Sequence, residues 1–231
     1  MTAPVNVLLP CRAGSKRIPH KNTRPFAGNP LGLLGLKMEQ LAACRHVATL
    51  TVTTDDPLVM EIAESMRDRF AYPVHVLERP RELAISDSLD KFVAYIPTIM
   101  PPGVVLWTHV TSPFFGTQDI DNAITAYHGK VSSGGFDSLM GVTKIQTFLW
   151  QKTRCISHDR TIVKWPQTQD LAPIYEVNSA IFMIDREAMR LRADRIGEKP
   201  YLLESGKLAS FDVDWPDDFD MAERLMPMPA A

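Results

Sequence analysis

Near the amino end, Pro10-Cys11-Arg12-Ala13-Gly14-Ser15-Lys16-Arg17-Ile18-Pro19-His20-Lys21-Asn22 places four cationic side chains within ten residues, around a Gly14-Ser15 pair. Glycine lets the backbone turn its N–H groups toward an anion, and Arg and Lys add charge-assisted hydrogen bonds, so the segment suits a triphosphate. It lacks the Gly-Lys-Ser/Thr of a Walker A loop. A merely solvated basic loop is the alternative. Its position directly after the first strand candidate favours ligand binding, because loops that follow strands carry the sites of α/β sheets.

Two further clusters carry chemistry. In Phe211-Asp212-Val213-Asp214, carboxylates two residues apart on an extended chain share a face, and their hard oxygens suit Mg²⁺; alternatively Asp214 begins a turn and Asp212 pairs with a lysine. Asp217 and Asp218 follow Pro216 and read as first-turn helix charges. His109-Val110-Thr111-Ser112-Pro113 follows an apolar strand and would present hydroxyls and backbone to a ligand. Within it, His109 is a general base or a hydrogen-bonded structural residue.

The elements that must position these groups are legible as an alternation. Strand candidates Val5–Leu9, Ala48–Thr53, Pro73–Leu77 and Val104–Trp107 alternate with helix candidates Leu31–Ala43, Pro57 to about Arg69, Ser88–Ile96 (stopped by Pro97) and Thr117–Tyr127, with Asp119 and Asp121 in its first turn. Strand Ser179–Ile184, helix Arg186–Ala193, strand Ala209–Val213 and helix Pro216–Leu225 complete the chain. This pattern predicts parallel pairing and a layered α/β fold, with 1–138 and 178–231 as the core and 139–177 as a small inserted lobe.

A chain of 231 residues, 45% hydrophobic and 23% charged, fits one globular domain, and a net charge of −2 argues against general nucleic-acid binding. No apolar run reaches the roughly 20 residues that span a bilayer, and no signal peptide is evident. Cys11, Cys44 and Cys155 form neither a disulfide framework nor a metal motif, so each reads as a small buried residue in a reducing cytoplasm.

In order along the chain, these segments resemble the CMP-sugar synthetases, or acylneuraminate cytidylyltransferases. Pro10–Asn22 is similar to that family's P-x-R-x-G-S-K-x-I-P-x-K-N; Arg79-Pro80-Arg81-Glu82-Leu83 with Asp87 is similar to its R-P-x-E-L segment. Thr111-Ser112-Pro113 resembles its T-S-P turn, Asn178–Phe182 its N-G-A-I-Y strand, and Phe211–Asp218 its I-D-I-D-x-P-E-D ending. The resemblance implies a Rossmann-like three-layer sandwich of the nucleotide-diphospho-sugar transferase type and transfer of CMP from CTP to a small acidic acceptor, with release of pyrophosphate. Arg12, Ala13, Gly14, Ser15, Lys16, Lys21 and Asn22 would hold the nucleotide, with Arg79 and Ser88 near the base. Arg12, Lys21, Asp212 and Asp214 would be the catalytic set, the two aspartates holding Mg²⁺. His109, Thr111, Ser112, Gln169 and Asn178 would meet the acceptor, and the inserted lobe would form a homodimer.

The departures from the family pattern fall together. Phe115 stands where the T-S-P turn is usually followed by an arginine, and Thr168 stands where R-Q-x-L-P usually precedes the strand. One of those arginines would pair with the acceptor's carboxylate. The reading that follows is an altered acceptor, held by Lys144, Lys152 or Lys164, or an acid of another kind such as a phosphonate; a degenerate binding protein is the alternative.

Overall fold

The computed structural model describes residues 2–84 and 89–226. The core is a seven-stranded sheet in the order β3-β2-β1-β4-β8-β5-β9. Val5–Pro10 (β1), Thr49–Thr54 (β2), Val74–Glu78 (β3) and Val104–Thr108 (β4) pair in parallel, as the alternation predicts. All five residues of β4 are buried, the mark of a strand covered on both faces. Gly32–Ala42 (α1), Pro57–Ser65 (α2), Thr117–Lys130 (α5) and Pro216–Leu225 (α7) supply buried side chains on one face. Asp90–Ile99 (α4) and Arg186–Arg192 (α6) cover the other, packing Phe92, Ile96 and Met189 against Trp107 and Phe182. The result is a three-layer mixed α/β sandwich.

Local chemistry explains most boundaries. Asp56 caps α2 through Leu58 N at 3.0 Å with Pro57 next to it, and Asp218 accepts from Trp215 N at 2.7 Å to start α7. A short helix, Arg81–Ala84 (α3), follows β3. Pro97 does not stop α4. It lies in the last turn, where only one intrahelical bond is forfeited and Met100 N still reaches Ile96 O at 3.1 Å.

The carboxyl-terminal half departs from simple alternation. Ile174–Asp185 (β8) runs antiparallel to both β4 and Ser138–Ile145 (β5), and Pro200–Glu204 (β9) joins β5 in parallel at the edge. The strand expected at Ala209–Val213 is absent. Its place at the sheet edge is taken by β9, and 211–214 instead runs as loop docked on the turn after β4, Val213 N donating to Thr111 O at 2.8 Å. Within 139–177, the flanks belong to β5 and β8, and 146–173 projects from them with a two-residue hairpin, Trp150–Gln151 (β6) and Arg154–Cys155 (β7). Cys11 and Cys44 are buried free thiols, whereas Cys155 is partly exposed on that projection, contrary to expectation.

The turn after β4 is held from inside by a lysine. Lys37 of α1 has no exposed surface and donates to Ser112 O at 2.9 Å and Phe115 O at 2.7 Å. Burial pushes its ammonium down to about 7, and a neutral amine retains both hydrogens these bonds need. Because the unfolded chain binds this proton up to the ordinary lysine range, the group adds stability as pH rises from about 7 toward 10. Lys37→Met should cost roughly 2 kcal/mol by stranding two buried carbonyls. Urea unfolding at pH 7, 8 and 9 should show wild type gaining on the variant by on the order of 1 kcal/mol per pH unit; a constant difference would mean that Lys37 titrates normally.

Candidate active site

The Pro10–Asn22 segment lies where β1 separates β2 from β4, at the carboxyl ends of the strands, the usual ligand position in such sheets. Buried Cys11 and Ile18 anchor it, with Arg12, Gly14, Lys16 and Arg17 left exposed. Cys11 N bonds Thr53 O at 3.0 Å, Ala13 N donates to Asp55 Oδ1 at 2.8 Å, and Gly14 takes the positive φ of 73° at which glycine is favoured. Asn22 is fixed from both sides. Its Nδ2 donates to Arg12 O at 3.3 Å, and its carbonyl receives Leu34 N at 2.8 Å from the start of α1. At that start Gly32 has φ 68°, and a Cβ there would lie 2.4 Å from Arg24 O.

A cleft of about 570 Å³ opens over this loop, walled by Arg12, Ser15, Lys16, Arg17, Lys21 and Asn22 on one side and by Trp107, His109, Val110 and Thr111 after β4. Arg79 and Phe92 close its third side, the Arg79 guanidinium 4.1 Å from the Phe92 ring centre and bonded to Thr53 O at 3.0 Å. Burial lowers the Arg79 pKa from its ordinary value. Ser88 and Asp87 lie outside the described residues.

A second cavity, about 450 Å³, is lined by Asn178, Ser179, Lys207, Ser210, Asp212 and Asp214, among others. Although 211–214 is loop, Val213 is buried between partly exposed Asp212 and Asp214, so the alternation that aims both carboxylates to one side survives. Burial raises the Asp212 carboxyl above its ordinary range; the Thr111 hydroxyl counters this, and the Asp214 charge adds to it. Asp212 Oδ1 and Asn178 Nδ2 are buried without a hydrogen-bond partner among the described residues. Lys21 links the two cavities: its Nζ donates to Val213 O at 2.8 Å and reaches Asp214 Oδ1 at 3.3 Å, an oxygen also met by Arg17 at 3.1 Å.

The family model described as Cytidylyltransferase matches residues 6–229, nearly the whole chain. The chain belongs to the cytidylyltransferase family. It is 28% identical to a CMP-N,N'-diacetyllegionaminic acid synthase of Legionella pneumophila, over 95% of this chain and 94% of that one. An N-acylneuraminate cytidylyltransferase of Streptococcus agalactiae is 26% identical over 92% of this chain, which spans 51% of that longer protein. Among solved structures, a CMP:2-keto-3-deoxy-manno-octonic acid synthetase complexed with CTP superimposes with a TM-score of 0.65 at 15% identity, covering 96% of this chain and 98% of that one. A 4-diphosphocytidyl-2C-methyl-D-erythritol synthase of Anaerococcus prevotii does so at 0.65 and 12%, over 96% and 97%. These last two likenesses establish the fold. The enzyme is a CTP-dependent nucleotidyltransferase.

Several residues singled out in the sequence stand apart from both cavities of this cytidylyltransferase. Ser112 is buried behind the turn, with its carbonyl on Lys37. Gln169 sits on an exposed 3₁₀ turn of the projection, its carbonyl accepting from Gln146 Nε2 at 3.0 Å, and Lys144, Lys152 and Lys164 are exposed away from either lining. Phe115 is core, only 2% exposed. No motif flagged Trp107, Phe92 or Lys207.

His109 lines the cleft as a structural residue. The Trp107 indole N–H donates to its Nε2 at 2.9 Å, which leaves the hydrogen on Nδ1, facing Ser179 O at 2.7 Å. Burial pushes its pKa down to about 4, so the imidazole is neutral and both nitrogens are engaged. Ser179 is itself in the left-handed region at φ 59°, beside the irregularity where β8 slips against β5 at Met140/Val142. His109→Gln, which can keep both bonds, should cost less than tenfold in kcat and leave the pH–rate profile unchanged in shape. A fall beyond a hundredfold with loss of the acidic limb would make His109 the general base.

Proposed function

We propose that the enzyme transfers CMP from CTP to the hydroxyl of a small acidic sugar, with the triphosphate over Pro10–Asn22 and the acceptor toward Asn178 and Asp212. The observation that carries this reading is the joining of the basic cleft to the Asp212/Asp214 cavity through Lys21. The names of the relatives, synthases and cytidylyltransferases of nine-carbon sugar acids, support the acceptor class. In the transfer, the acceptor oxygen bonds to the α-phosphorus as the bond to the bridging oxygen breaks; pyrophosphate leaves and the hydroxyl proton is lost. Catalysis of this kind is chiefly positioning and charge neutralisation.

The residues present fit a magnesium ion. Asp212 has a buried carboxylate oxygen with no partner, and a metal that takes one or two carboxylates and completes its shell with phosphates and water needs no larger acidic cluster. Asp212 and Asp214 would hold it, and it would supply neutralisation of phosphate charge. Arg17 and Lys21, which share Asp214 in the free enzyme, have a stronger anion to move to when a triphosphate enters the cleft. Gly14, Ser15 and Lys16 carry backbone N–H groups that make no hydrogen bond among the described residues and are free for phosphate oxygens. Trp150, Ile156, Ile162 and Trp165 leave the projection apolar and exposed, Ile162 by 80%, and this surface would pair two copies as a homodimer.

Incubation with CTP, Mg²⁺ and a panel of sugar acids and simple phosphonates should release pyrophosphate with at least one sugar acid. Asp214→Asn should lower that rate at least a hundredfold with the thermal transition unchanged. Release with a phosphonate alone would move the acceptor class, and tight CTP binding without release from any acceptor would make the protein a nucleotide binder.

A further inference from the structure

The acceptor side of the cleft lacks the arginines that sequence comparison leads one to expect at Phe115 and Thr168, yet an acidic acceptor needs a cation. One is present in a segment that no motif marks. Arg195 lies in the turn between α6 and β9, just after Ala193 closes the helix at φ 51°. Its guanidinium sits 3.9 Å from the Phe182 ring centre and 5.2 Å from that of Trp107, the ring that forms the cleft floor and holds His109. Phe182 and Trp107 are direct partners across β8 and β4. Phe92 packs edge-on against Trp107 from the α4 side at 5.5 Å, so the indole is flanked by Phe92, with Arg79 above it, and by Arg195.

What sets Arg195 apart is its lack of an acceptor. The neighbouring arginines are all spoken for: Arg186 and Arg190 pair with Glu187, and Arg192 with Glu198 and Asp137. Arg195 makes no ion pair and no hydrogen bond among the described residues; it is held by the two ring faces alone and is partly buried. A guanidinium presents five N–H donors in a rigid fork matched to a carboxylate or phosphonate, and a stacked one loses little freedom on binding. Burial lowers its pKa from the ordinary value, and its charge is the foremost ionic influence on His109, which agrees with a cation facing the cleft's inner wall.

We propose that Arg195 receives the anionic group of the acceptor and sets the enzyme's preference for acids over their neutral analogues. The inference rests on the acceptor class proposed above. Its test is therefore an equilibrium one, independent of turnover: calorimetric binding of N-acetylneuraminic acid and 2-keto-3-deoxy-octonic acid, each beside its methyl ester, in wild type, Arg195→Gln and Arg195→Lys. Wild type should bind at least one acid tenfold or more tighter than its ester. That preference should vanish in Arg195→Gln and return in part in Arg195→Lys, with CTP affinity the same in all three. An acid preference that survives in Arg195→Gln overturns the inference, as does a wild type that binds neither acid better than its ester. Loss of CTP affinity in both variants would make Arg195 a support for Trp107 and overturn it equally. If instead the acid preference follows Arg195 but no pyrophosphate is released, the transfer reading alone has failed.

Discussion

The Lys21 ammonium is the contact on which the site depends. It joins a loop near residue 21 to one near residue 214, across the sheet mouth, by a carbonyl bond of 2.8 Å and a carboxylate contact of 3.3 Å. Lys21 is largely shielded, 12% exposed against 44% for Asp214, so this pair is less screened than the Arg17 contact beside it. Without it, a loop rich in positive charge and a carboxylate pair that repels itself would have no fixed separation. The rest of the fold prepares this meeting: Gly32 and Asn22 lock one end of the loop to α1, Asp55 holds the other, and Thr111 O receives Val213 N to seat the aspartate loop.

A second chain of constraints builds the floor. The irregularity in β8 turns Ser179 O toward His109, His109 accepts from Trp107, and Trp107 spreads its ring between the two sides of the cleft. A non-glycine residue at φ 59° is a local cost, and its return is a carbonyl aimed at the imidazole. The histidine is therefore spent on structure, and the acid–base and electrostatic work falls to carboxylates and cations around it. Lys37 does the same from beneath, fixing the turn that carries Thr111.

How much of this was legible in the sequence follows from how local each signal is. The start of α7 could be read because Pro216 and Asp218 encode it within four residues, and β4 because five consecutive apolar residues admit little else. The basic loop and the aspartate pair are contiguous motifs, and the sequence places them after the first strand and before the last helix, where the structure has them. Pairing direction is not local: nothing in Ile174–Asp185 says that it runs against its neighbours. The stretch 209–213 alternates apolar and polar residues like a strand, but the edge it would occupy belongs to β9, whose Pro-Tyr-Leu-Leu-Glu is too short to announce itself. Arg195 escaped notice for the same reason. A single arginine in a turn has no spacing to read, and only the folded chain shows it stacked on two rings.

The central claim is that the two ends of the chain form one site for CTP with its cation. Thermal unfolding with each of the four nucleoside triphosphates, with and without Mg²⁺, tests it most directly. A site of this kind predicts that CTP with Mg²⁺ raises stability most, by about 2.7 kcal/mol at a hundredfold excess over Kd, and that Lys21→Met loses most of that gain. Equal stabilisation by all four triphosphates, or a CTP effect indifferent to Lys21, would contradict it.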